Sequence, residues 1–429
     1  MDNTEHTFSL PDLCGPKEFA DLLVWLRTHE GAPGMLSPIS QSGIRNLIDL
    51  SFYLSLSPEE GRYPRLRMVN QKEKDFYLAI KFDKPIELKE IGELRRLAPA
   101  CTTIDLALLI TEQDDSLWCV GLNNIGAMGL NSMPGRPEDI AGGRPPSLRV
   151  WIEGPGHLLV QDHIETLELK AGKVRRTAPF SLVPAIRTFS EKLGVKLFER
   201  VIDIERDDKN TPNYFGGKHA IGSIILHVME RLLLACFKLG HGGAFVILPN
   251  SDGETTDFDI TCRYNASNLD LSQDVVNFWV QCIRATRVSE KSEFERELVK
   301  WNQAKARLMT NTVSASGLSA IDGCVVMNDC LRVQGFGGFI GISDAAVEES
   351  GQTYKLERDG GTVSYADFKK AVGGTRHQSA ARLCAKHLGV IAIVVSQDRQ
   401  LHVFCADPDR HVRRYGPLDP YALEIRSFR

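Results

Sequence analysis

Gly374-Thr375-Arg376-His377-Gln378-Ser379-Ala380 opens a helical pattern, and the chain then runs through the apolar strand Val390–Val395 and a Gln397-Asp398 turn into Leu401–Phe404. A glycine-led turn, a helix and two short apolar runs make one step of a layered α/β sheet. The segments just upstream fit the same plan. Cys324–Met327 reads as a strand, Asn328-Asp329 as a turn, Leu331–Val333 as a strand, and Gly335–Ile342 as a glycine-rich strand before the polar insertion Ser343–Gly360. The fold class expected is α/β, with a C-terminal mixed sheet flanked by helices.

Further upstream, Ile221, Ile224, Ile225, Val228, Leu232 and Leu233 fall at helical spacing, and that helix ends by Gly240. Gly243–Leu248 closes at Pro249 and reads as a buried strand. Two more helices are expected, one behind Ser272 and a charged one over Ser289–Met309. The N-terminal half is expected to be α+β. It holds an amphipathic helix at Phe19–Leu26, a strand and helix within Asp75–Glu93, a hairpin split by Glu112–Asp115, and a Gly/Pro loop over Pro134–Pro146. Period-2 alternation at Leu148, Val150, Ile152, Leu158 and Val160 then predicts a small β-rich lobe ending near Pro179. Four segments result: an α+β region over 1–146, the β-rich lobe and a helical connector over 147–215, the C-terminal domain over 216–410, and a tail over 411–429.

Charge and cysteine use narrow the partners. With 51 basic against 55 acidic residues the net charge is −4, so general nucleic-acid binding is not expected, while a local anion site is allowed. The ten cysteines include no CxxC and no zinc spacing, and several sit in apolar runs, as reduced buried thiols of a cytoplasmic protein would. The opening MDNTEHTFSL lacks the pattern of a signal peptide, and no membrane association is expected.

Two clusters carry chemistry. Asp322-Gly323 stands at the head of an apolar strand, where the carboxylate has no core to enter and the glycine removes a Cβ from the path of a ligand. That pairing fits a metal ligand or a partner for a sugar hydroxyl; taken alone it also fits an ordinary turn aspartate. Gly373-Gly374-Thr375 leads into a helix with Thr375 as N-cap, and helix-start amides with the dipole behind them favour an anion. Arg376 adds a permanent planar fork and His377 a second donor, although both also suit a plain loop-to-helix turn. The sequence Gly374–Gln378 is not a Walker A loop, since no Gly-Lys-Ser/Thr is present.

At these residues the chain resembles the diadenylate cyclase (DAC) domain family, to which the nucleotide-binding domain of the DNA integrity scanning protein belongs. The family carries Asp-Gly-Ala, then Gly-Thr-Arg-His-Arg, then a strand reading roughly Val-Ser-Glu-Glu. Here Asp322-Gly323-Cys324, Gly374-Thr375-Arg376-His377-Gln378 and Ile393-Val394-Val395-Ser396-Gln397-Asp398 stand in the same order, across about residues 215–410. Cys324 replaces an alanine. Gln378 replaces the second arginine and removes a charge that would strengthen phosphate binding. The layout is similar to that of a divergent branch of DAC-related proteins expected to sense nucleotides.

The resemblance implies that two ATP molecules meet between two protomers and condense to cyclic di-AMP. Asp322 would hold Mg²⁺ or Mn²⁺; Asp322, Gly323 and His377 would form the catalytic set; Gly374, Thr375, Arg376, His377 and Gln378 would hold the nucleotide. The second protomer is then part of the site. The alternative is a catalytically silent sensor that binds a nucleotide or cyclic dinucleotide; the enzyme reading is put first.

Overall fold

In the computed structural model the described residues are 39–58, 61–70, 78–101, 106–124, 148–161, 166–179, 183–205, 217–249, 258–266, 268–288, 290–348, 354–356, 362–397, 400–407, 409 and 411–419. They fall into two compact units divided between Thr177 and Ala178. The expected helix at Phe19–Leu26 and loop at Pro134–Pro146 lie outside the described residues.

The first unit runs from α1 (Gln41–Leu56) through β1 (Leu66–Asn70), β2 (Leu78–Glu87), α2 (Ile91–Leu97), β3 (Leu106–Gln113) and β4 (Ser116–Asn124). It continues with β5 (Leu148–Gly154), β6 (His157–Gln161), β7 (Thr166–Lys170) and β8 (Lys173–Pro179). α1 starts because the Ser40 hydroxyl accepts from the Gly43 amide at 3.0 Å, satisfying one orphan donor of the first turn. The strands form one mixed sheet in the order β2-β4-β3-β1-β5-β6-β7-β8, in which only β1 and β3 run parallel. Central β1 is buried along its whole length, as a strand between two neighbours and covered on both faces must be. The period-2 alternation sends Leu108 and Ile110 of β3 to the core formed with Leu47, Ile48 and Phe52 of α1. Ala107 and Leu109 meet Val69 on the opposite face. The β1–β5 pairing matters for the expected layout, because the strands assigned to a separate β-rich lobe continue the sheet begun by β1–β4.

The second unit begins with α3 (Pro184–Glu205), α4 (Gly217–Leu239), β9 (Gly243–Leu248), β10 (Ile260–Asn265), α5 (Leu271–Arg287) and α6 (Lys291–Gly317). Next come β11 (Cys324–Asn328), β12 (Val333–Ile340), α7 (Asp344–Glu348), β13 (Tyr354–Leu356) and β14 (Thr362–Val363). α8 (Tyr365–Val372), α9 (Thr375–Lys386), β15 (Ile391–Val395), β16 (Leu401–Ala406) and β17 (Val412–Asp419) complete it. The sheet order is β10-β12-β11-β9-β15-β16-β17-β13-β14, in which the β9–β11 and β13–β17 pairs run parallel and the other neighbours antiparallel. Residues 412–419, expected to belong to a tail, instead pair with both β16 and β13.

Helices cover both faces, which is the layering expected from the sequence. On one face Ala244, Val246, Cys324, Val326, Ala392 and Val394 pack against Phe368, Val372, Ala380, Leu383 and Cys384 of α8 and α9. On the other face Phe245, Ile247, Met327 and Ile393 lie against Val228, Met229, Leu232 and Leu233 of α4. Residues Gly217–Phe237 of α4 form a helix long and apolar enough to cross a membrane, and most of that stretch is buried within the protein. Two ion clusters tie the outer helices together. The buried Glu205 carboxylate accepts from Arg284 at 2.9 Å and Arg287 at 2.7 Å, and Asp274 accepts from Arg307 at 3.0 Å and Asn311 at 2.6 Å. The nine described cysteines are free thiols, seven of them buried, and burial pushes the Cys324 thiol up to about 12.

Candidate functional site

The site forms where the head of β11, the start of α9 and the ends of β9 and β15 meet. Asp322 precedes β11 and its side chain is wholly exposed. Gly323 beside it has φ +114°, and a Cβ there would stand 2.7 Å from the Gly337 carbonyl carbon and 2.8 Å from the Gly338 oxygen. The glycine is therefore required by the backbone of β12 and by its own left-handed conformation. The clearance expected for a ligand at Gly323 is filled by β12.

α8 ends at Gly373, φ +96°, and Gly374 is the N-cap of α9, in extended backbone and without a side-chain cap. Thr375, expected as the N-cap, is the first helical residue instead. Gly374 as N-cap supplies no side-chain acceptor to the first-turn amides of α9, and amides at a helix start are donors suited to an anion. The far end of α9 is fixed by Asp259, which accepts from Lys386 at 2.9 Å and pairs with His387 at 2.7 Å. Its middle is fixed by Arg382, which donates to Asp344 at 2.9 Å. Asp344, within the polar insertion, also takes Tyr365 and Lys369 at 2.5 Å each, and these donors hold its carboxyl well below the usual range.

Arg376 projects from the first turn of α9. Its Nη2 lies 3.6 Å from Asp322 Oδ1, and its Nη1 donates to the His241 carbonyl at 3.3 Å. The sheet thus brings together the carboxylate and the guanidinium that the sequence singled out separately. His377 faces the other way. It is 8% exposed, its Nε2 is 3.1 Å from Nδ1 of His402, and the rings meet edge to face at 4.9 Å with Phe404 beyond. Burial first, then Arg414 and Arg376, push its pKa down to about 4; burial, His377 and Arg414 push that of His402 to about 3. Both imidazoles are neutral at pH 7, so His377 contributes no positive charge. Gln378 folds back, its Nε2 donating to the Gly373 carbonyl at 3.0 Å, and so closes the turn.

Three neighbours escaped sequence reasoning. His402 sits in an apolar strand where position alone does not separate a buried polar side chain from an exposed one. Arg414 lies in the stretch expected as tail, and donates Nη1 to the Ala371 carbonyl at 2.5 Å. Phe339 on β12 is 72% exposed, unusual for its type, and only the glycines around it in Gly335–Phe339 mark the strand as special.

For a metal, Asp322 offers one exposed hard oxygen donor. Mg²⁺ or Mn²⁺ bound through one carboxylate, with phosphate and water completing the shell, is compatible with that donor. Among the described residues, the trio whose ligand atoms lie within 4.8 Å of one another is Asp407, Asp409 and His411, between β16 and β17. There Asp407 is already engaged by Arg413 at 2.8 Å and His411 at 3.2 Å.

Comparison with known proteins adds information on the first unit. Residues 37–124, from the start of α1 through β4, match a family model described as "Probable sensor domain DACNV". No curated protein matches the chain, and no solved structure does. The match points to a sensor domain in the N-terminal part.

Proposed function

We propose that the chain is a nucleotide sensor whose second unit binds a nucleotide through its phosphate at the start of α9. The observation that carries this reading is the approach of Arg376 to the exposed Asp322 at 3.6 Å, beside a helix start whose glycine cap offers no side-chain acceptor. A phosphate there would accept from first-turn amides of α9 and from Arg376, while Asp322 would face the sugar or a phosphate-bound cation. Phe339, exposed on the strand next to β11, offers an aromatic face for a base. The sensor-family match at residues 37–124 supports a sensing role for the N-terminal part.

A second reading is diadenylate cyclase activity, favoured by one specific observation: Asp322 keeps its carboxylate fully exposed at the head of β11. In that reaction the 3′-oxygen of one ATP bonds to the α-phosphorus of another, the bond to pyrophosphate breaks, and the hydroxyl proton passes to solvent or base; repetition closes the ring. Mg²⁺ or Mn²⁺ on Asp322 would supply charge neutralisation at the phosphates. Arg376 would orient the α-phosphate, and α9 amides would stabilise charge on its oxygens. His377, turned inward to His402, would act by supporting the turn.

Purified chain incubated with ATP and Mn²⁺ or Mg²⁺, read by mass-resolved chromatography beside Asp322→Asn, separates the two. Nucleotide binding without product supports the sensor. A cyclic dinucleotide that disappears in Asp322→Asn establishes the cyclase and overturns the catalytically silent reading.

A further inference from the structure

We infer that the first unit binds a small organic anion against the face of its sheet opposite α1. Arg67 and Arg149 take the charged head, and an apolar strip of β1 and β3 takes the carbon body. None of these residues belongs to the candidate site at α9.

Alternation along the strands gives this sheet two unlike faces. The face toward α1 is apolar, with Leu66, Met68, Leu108, Ile110, Val150 and Ile152 in its core. Residues one position along point the other way, and the registers set them side by side. Arg67 stands opposite Trp151, Val69 opposite Arg149, and Arg149 opposite Gln161. On β3 and β4, Ala107 stands opposite Asn123. The polar side chains here are buried: Arg67 is 9% exposed, Arg149 1%, Gln161 2% and Asn123 0%. The Arg67 guanidinium lies over the Trp151 ring, 5.2 Å from its centroid. Further along β3, the buried hydroxyl of Thr111 has no hydrogen-bond partner among the described residues.

A sheet face that meets water is polar and exposed, and one that packs on a helix is apolar and buried. This face is polar and buried. Arg67 and Arg149 are diagonal neighbours on adjacent strands, so burial brings two like charges together and favours negative charge beside them. Their planar forks match a carboxylate or a phosphate. Val69, Ala107 and Leu109 form a small apolar cluster on the same face, a surface for the rest of such a molecule. A few converging polar groups beside apolar surface is the make-up of a small-molecule site. The segment matching a probable sensor domain, residues 37–124, carries Arg67, that apolar cluster, Thr111 and Asn123. Arg67, Arg149, Trp151, Gln161 and Asn123 each interact elsewhere in the chain as well, so the ligand joins an existing polar network. The competing structural account is that the chain's own carboxylates, such as Glu153 two residues beyond Trp151, satisfy both arginines completely. That account gives the face no affinity for a free anion.

The test is calorimetric titration of the full chain with benzoate and with phenyl phosphate, beside the uncharged benzamide. The two anions share an oxyanion on a flat ring, and the tighter of them identifies the head as carboxylate or phosphate. That anion is expected to bind at least about tenfold more tightly than benzamide. Arg67→Gln keeps hydrogen-bond donors while removing the charge, and is expected to weaken the anion by about tenfold with benzamide unchanged. Arg67→Lys keeps the charge without the fork and should fall between. If Arg67→Gln does not fold, the parent's preference for anion over benzamide and the Arg67→Lys titration decide. Benzamide binding as tightly as both anions, no binding by either anion, or parent-like anion affinity in Arg67→Gln overturns the inference. Anion binding lost in Arg376→Ala but kept in Arg67→Gln would place the anion at α9, which overturns the inference and leaves the phosphate site there standing.

Discussion

The guanidinium of Arg376 stands 3.6 Å from the carboxylate of Asp322, a side chain wholly open to solvent. In the absence of ligand each group partly neutralises the other, so an incoming phosphate competes with Asp322 for Arg376. Asp322→Asn is therefore expected to tighten metal-free phosphate binding by about threefold, a modest effect because exposed ion pairs are weak. With Mg²⁺ present the same variant should bind more weakly than the parent. Titrations in EDTA and in Mg²⁺ check both signs.

The His377–His402 pair makes the second unit sensitive to acid. Both groups have folded pKa values, about 4 and about 3, below the ordinary 6.5, so the unfolded chain binds more protons between those limits. Their contribution is complete above pH 6.5 and is lost as pH falls toward 4 and then 3. The charged groups facing them are Arg376 and Arg414, which oppose protonation further. Urea unfolding of the parent should lose on the order of 1 kcal/mol per pH unit below 6, and His402→Gln should flatten that slope. Equal slopes would contradict the buried-pair assignment.

Gly323 and Gly374 flank the same site but differ in what they tolerate. At Gly323 a side chain meets β12 backbone within 3 Å and φ is +114°, so Gly323→Ala is expected to cost more than about 2 kcal/mol. At Gly374 φ is −69° and a Cβ meets nothing within 4 Å, so Gly374→Ala should stay within about 1 kcal/mol. Chemical denaturation of the two variants reads the difference directly.

Asp344→Ala should loosen α8 and α9, because Tyr365, Lys369 and Arg382 lose their common acceptor. The carboxylate is partly exposed, which limits the expected cost to about 1 kcal/mol. Its depressed pKa means the contribution is present above the ordinary carboxylate range and is lost as pH falls through the folded value. Hydrogen exchange of α9 amides should rise in this variant, since α9 is braced through Arg382.

The second unit was legible where pattern and element agree. Gly243–Leu248, Ile391–Val395 and Leu401–Phe404 are apolar runs of strand length, and each is a central strand of the sheet. β17 was not legible, because Val412-Arg413-Arg414-Tyr415-Gly416-Pro417 reads as charged and turn-rich, whereas pairing to β13 and β16 holds it extended. Arg414 was lost with it. The direction of His377 was equally hidden: the motif places it next to Arg376, but only the helix rotation and the approach of His402 turn it into the core. Gly323 was singled out for its missing Cβ as room for a ligand, whereas the neighbour that requires the glycine is the backbone of β12, which depends on tertiary packing.

Calorimetric titration of the full chain with cyclic di-AMP, beside Arg376→Ala, tests most directly whether nucleotide phosphate is held at the start of α9. Binding by the parent, weakened by at least about thirtyfold in a variant of unchanged thermal midpoint, is the expected result. Equal affinity in Arg376→Ala, or no binding by the parent to cyclic di-AMP or ATP, would contradict it.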